Sequence, residues 1–98
     1  MTPDQKIALI KLFDDITKLL TIEMDKLLNS GIEPDIEGNH QDERWQTLRS
    51  IQNDKESFED GYEVMGKDGW SFESKLRVGN KRKEELSERI KRYKEKYC

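Results

Sequence analysis

Half of the chain's aliphatic and phenylalanine side chains are concentrated in one N-terminal stretch. Of the 22 Leu, Ile, Val and Phe residues, 11 lie in the first 28 positions. Ile7, Leu9, Leu12, Phe13, Ile16, Leu19, Leu20, Met24, Leu27 and Leu28 recur at helical spacing. Projected at about 100° per residue, most of them fill a face about half the helix circumference wide, opposite Lys11, Asp14, Lys18 and Asp25. Such a face must be covered, and the remaining residues set how. The helix has clear ends. Thr2-Pro3-Asp4-Gln5 places a hydroxyl at the N-cap, proline at the first helical position and Gln three residues after the cap. Asn29-Ser30-Gly31 followed by Ile32 and Pro34 is a stop signal. The expected helix runs over 3–29.

A second helix is expected over about 40–60, with a narrow stripe of Trp45, Leu48, Ile51 and Phe58. A third is expected over 80–97, capped by Asn80 and carrying Leu86, Ile90, Tyr93 and Tyr97. The same stripe extends back through Lys83, Gly79, Leu76 and Phe72, so a start near 71 is the alternative. Residues 62–72 read as a short β-hairpin, with Tyr62/Val64 and Trp70/Phe72 flanking Gly66–Gly69, or as an irregular connection. These elements predict a mainly α, three-helix bundle in a single domain over 1–98.

The charges exclude several functions and suggest others. Charged residues are 40% of the chain, no apolar run approaches the length of a membrane span, and the N-terminal residues read as a helix rather than a leader. Cys98 has no second cysteine to pair with, which suits a reducing, cytoplasmic setting. The net charge of −3 conceals an asymmetry, because the acids gather before residue 75 and the bases after it.

"GIEPDIEGNHQDER" begins like a calcium loop, with Glu33, Asp35 and Glu37 alternating before Gly38. The position that needs a bidentate carboxylate is instead Arg44, and Pro34 restricts the turn, so the stretch reads as an acidic helix connection. His40 is the only histidine and has no companion at metal-ligand spacing. Asp14/Asp15, Glu59/Asp60 and Glu84/Glu85 are sequence neighbours that point apart on a helix. No phosphate-binding glycine loop or nucleophile elbow is present. Neither an enzyme nor a cofactor or metal requirement is expected.

Two binding functions remain. The acidic middle, 31–63, is expected to dock on a protein with a basic surface through Asp42, Glu43, Trp45, Glu59, Asp60, Tyr62 and Trp70, the aromatics serving as anchors or as core. The alternative is nucleic-acid binding by the basic C-terminal helix through Lys81, Arg82, Lys83, Arg89 and Arg92. Against it, Glu85→Arg89 and Glu88→Arg92 stand at i,i+4, so part of the positive charge is already paired. In size and acidity the chain falls among immunity proteins, antitoxins and phage inhibitors, a compositional likeness that implies a stoichiometric inhibitor or adaptor. The breadth of the first apolar face predicts a homodimer through that helix.

Overall fold

The structure, a computed structural model, describes residues 2–67 and 69–98, with residues 62–67 as backbone alone. Four helices follow in order among the described residues: α1 (Pro3–Ile10), α2 (Asp14–Asn29), α3 (Glu43–Lys67) and α4 (Phe72–Tyr97). No strand occurs among the described residues. The protein is a three-helix bundle whose first helical segment is bent into α1 and α2.

The expected helix over 3–29 therefore has an interruption at Lys11–Phe13. It contains neither glycine nor proline. The chain tightens there into i→i+3 bonding, Leu12 N–H to Leu9 O at 3.2 Å and Asp14 N–H to Lys11 O at 3.1 Å. Phe13 and Ile16, at and just after this turn, are buried at 1% and 0% exposure, and α1 packs against α4. Both outer ends match the sequence signals. Thr2 and Gln5 form a reciprocal capping box. At the other end Gly31 takes φ +103°. Gly31 N–H bonds Leu28 O and Ile32 N–H bonds Leu27 O, which is the Schellman arrangement, with Ile32 buried against the core.

The second helix starts at Glu43 rather than near residue 40, because Asp42 is its cap: Oδ1 accepts the Arg44 backbone N–H at 2.8 Å. It continues to Lys67, so the hairpin reading of 62–72 does not hold. The last helix takes the longer alternative. Ser71 caps it by accepting the Ser74 N–H, and the expected break at Gly79-Asn80 is absent. Gly79 is buried inside the continuous helix; a penalty of about 1 kcal/mol for a mid-helix glycine is small beside tertiary packing.

The core is made where the stripes meet. It contains Phe13, Ile16, Leu20, Leu27, Ile32, Trp45, Leu48, Ile51, Leu86, Ile90 and Tyr93. Leu9, Leu12, Leu19, Met24, Phe58 and Tyr97 pack around it, half-buried. Helices α3 and α4 thus cover most of the wide face of the first segment. Its large exposed apolar residues are Ile7 and Ile10 on α1 and Ile22 and Leu28 on opposite flanks of α2.

Candidate interaction surface

The connection between α2 and α3 is an ordered loop. Asp35 organises it: its Oδ1 accepts the N–H groups of Glu37 at 3.0 Å and Asn39 at 2.9 Å, and its own N–H bonds Asn39 O. Gly38, at φ +82°, closes the turn by donating its N–H to Asp35 O. Two residues of α3 fasten the loop from below. Trp45 Nε1–H donates to Gly38 O at 2.8 Å, and Arg49 reaches Glu37 O at 3.5 Å while bonding Gln52 Oε1 at 2.7 Å. Asp35 thus directs one carboxylate oxygen at backbone amides, the arrangement of a turn cap. Among the described residues no group of three or more metal-ligating side chains is gathered. His40 is also part of the local framework, its Nδ1 accepting the Asp42 N–H at 2.9 Å.

The residues expected to form one partner surface are distributed differently. Asp42 grips Arg44 with both oxygens, Nε at 3.0 Å and Nη2 at 2.9 Å. That guanidinium, helped by the Arg44 backbone N–H, holds the Asp42 carboxyl down at about 2. Glu43 pairs with Lys96 across the α3/α4 seam at 3.3 Å, and Lys96 and the Tyr97 hydroxyl hold its carboxyl below the usual range. Trp45 is a core residue, 5% exposed. Glu59 lies toward the bundle and binds Lys55 at 3.2 Å; the Lys55 Nζ also donates to Thr17 Oγ1 at 2.9 Å. Asp60 is exposed, and the Tyr62 side chain lies outside the described residues. Trp70 stands beyond the far end of α3, 44% exposed. Asp42 and Asp60 are separated by about 27 Å along α3. The set does not form one patch: it divides between the two ends of the bundle.

The cations of α4 are largely engaged within the fold. Lys83 meets Asp15 of α2 at 3.2 Å. Arg89 meets Asp54 of α3 and donates to Ser50 Oγ at 3.2 Å. Arg82 binds Glu85 at 3.0 Å and lies over the Phe58 ring, 5.0 Å from its centroid. Arg92 approaches Glu88 at 3.7 Å. Of the nucleic-acid candidates only Lys81 has no carboxylate within ion-pair distance among the described residues. An open groove of about 210 Å³ between α3 and α4 has Ile51 and Tyr93 along it and Arg89, Arg92 and Lys96 beside it, and each of these cations already holds a carboxylate.

One ionic cluster was not anticipated. Glu23 is 2% exposed, among apolar residues of α2. Lys26 reaches it at 3.1 Å and Lys94 at 3.8 Å. The Cys98 thiol donates to its Oε2 over 3.9 Å, though the Cys98 residue itself is exposed. Burial, with the Cys98 thiol and the Glu23 carboxylate nearby, pushes the Tyr93 hydroxyl above its ordinary value. The cluster fastens the end of α4 to α2. Its signal in the sequence is a charged residue at a core-facing position of the series 16, 20, 23, 27. No protein-family model, curated protein or solved structure matches this chain.

Proposed function

We propose that the protein acts by binding another protein through an acidic surface, as a stoichiometric inhibitor or adaptor rather than a catalyst, in the cytoplasm. One observation carries this reading: much of the positive charge of the basic helix is engaged within the bundle. Lys83, Arg89, Lys94 and Lys96 of α4 each hold a carboxylate of α2 or α3. The exposed side chains of Glu33, Glu37, Glu56 and Asp60 have no cation within ion-pair distance among the described residues. The surface offered to solvent at the α2–α3 connection and along the outside of α3 is therefore negative. It attracts a basic protein surface by steering and charge complementarity. The same pairing counts against nucleic acid, whose phosphates need unengaged cations on one face.

The test is capture from source cells on immobilised protein, followed by kinetics with the purified partner. Reversing Glu33, Glu37, Glu56 and Asp60 to lysine should slow association and flatten its salt dependence without changing Tm. Asp42, Glu43 and Glu59 are unsuitable for this purpose because each takes part in a cap or an ion pair of the fold. A partner that associates with the reversed variant at the original low-salt rate would sink the reading. Self-association through the first segment accompanies it: α1 buries none of its residues and leaves Ile7 and Ile10 one turn apart in solvent. A sedimentation mass near 11.6 kDa at tens of micromolar protein removes that part.

A further inference from the structure

Ile36 stands entirely in solvent, at 106% relative exposure. The other large exposed apolar residues, Ile7, Ile10, Ile22, Leu28 and Trp70, are only 43–60% exposed, as isolated surface apolar residues commonly are. Ile36 contributes nothing to the core, and a β-branched aliphatic has no advantage in a turn where polar residues are favoured. Yet the turn that carries it is fixed on both sides. Asp35 Oδ1 holds the Glu37 and Asn39 amides, Trp45 holds Gly38 O from the core, and Arg49 packs 3.5 Å from where a Gly38 Cβ would lie. Its neighbours Glu33, Asp35 and Glu37 are exposed carboxylates. Arg49, the cation that reaches the loop, binds a backbone oxygen there and no carboxylate.

We infer that this turn is the docking element of the protein: Ile36 inserts into an aliphatic pocket of a protein partner whose rim carries Arg or Lys. Three features of the turn support this. A protruding aliphatic residue requires an apolar cavity. The exposed carboxylates of Glu33 and Glu37 favour cations around that cavity. The hydrogen-bonded turn removes the ordering cost that a flexible loop would incur on binding. The inference rests on the protein-binding reading above and locates its contact at one end of the bundle, away from Glu56, Asp60 and Trp70.

The test uses the full chain and the purified partner captured by the wild-type protein. Ile36→Asp should leave Tm unchanged, since the side chain is wholly in solvent, and should weaken binding about tenfold or more, mainly through off-rate. Ile36→Leu should restore binding to within about threefold of wild type, because a methyl relocation in an apolar pocket is tolerated. Glu33→Lys with Glu37→Lys should slow association. Equal affinity of Ile36→Asp and wild type overturns the inference while leaving the protein-binding reading intact. Failure of the wild-type chain to hold any protein partner stoichiometrically overturns both. A change confined to self-association, read by sedimentation, would overturn the assignment to a foreign partner.

Discussion

Asp42 and Trp45, three residues apart, show what a partner-surface residue in the sequence can turn out to do. Both act within the fold, Asp42 as a cap and arginine clamp, Trp45 as a core ring with its N–H tied to Gly38. Asp42 gives a prediction with a definite sign. Its folded pKa of about 2 lies below that of an unpaired aspartate, so its contribution is complete above about pH 4 and disappears as pH falls through about 2. The depressed Glu43 acts in the same direction. Asp42→Asn keeps a capping oxygen and loses the ionic clamp. A pH series of melting curves should therefore show wild type and variant furthest apart above pH 4 and converging toward pH 2; a constant offset would refute this account. For Trp45, truncation to Ala should cost about 3–5 kcal/mol as a large core deletion. Trp45→Phe should cost about 1–3 kcal/mol, mostly from leaving Gly38 O without its donor. Urea titration separates the two, and a Trp45→Ala variant of unchanged midpoint would mean that the ring is not structural.

At the scale of elements, the features legible in the sequence were those fixed by local chemistry. The capping box at Thr2, the Gly31 stop and the stripes of α2, α3 and α4 follow from side-chain type and spacing alone. What was not legible depended on tertiary contact. No residue marks the turn at Lys11–Phe13; it accompanies the packing of α1 against α4. The continuity of α4 through Gly79-Asn80 likewise goes against local propensity, and the Ser71 cap combined with a buried Gly79 outweighs the break signal. The candidate surface was partly legible, as acidity, but its division between two ends of the bundle required the length and direction of α3. Burial also separates strong from weak apolar positions within the first segment. Ile16→Asp should cost several kcal/mol, comparable to the whole stability of a small domain, because Ile16 is fully buried. Ile10→Asp, on a residue 60% exposed, should stay within about 0.5 kcal/mol. Circular dichroism and urea unfolding check both, and comparable losses would mean that Ile10 is covered in solution.

For the molecule as a whole, the division of charge between an acidic body and a basic C-terminal helix is a device of folding before it is a device of binding. Asp15, Glu23, Glu43 and Asp54 of α2 and α3 meet Lys83, Lys94, Lys96 and Arg89 of α4, so the two charge blocks close on each other in part. Apart from the pair at buried Glu23, exposed pairs of this kind contribute about 0.2–1 kcal/mol each, less as salt is added. A charge swap isolates one of them. Asp54→Arg and Arg89→Asp should each lower the urea midpoint at low salt, and the double variant should recover part of the loss, with a coupling of about 0.2–1 kcal/mol that shrinks in molar salt. Since six of the ten cations of α4 already hold a carboxylate, the intact protein should give no gel shift with mixed DNA and RNA at low salt. A shift abolished by Lys81→Glu and Lys91→Glu, which lie outside the interhelical pairs, would show that α4 keeps enough unengaged charge to bind nucleic acid. The function would then belong to the basic helix and not to the acidic loop.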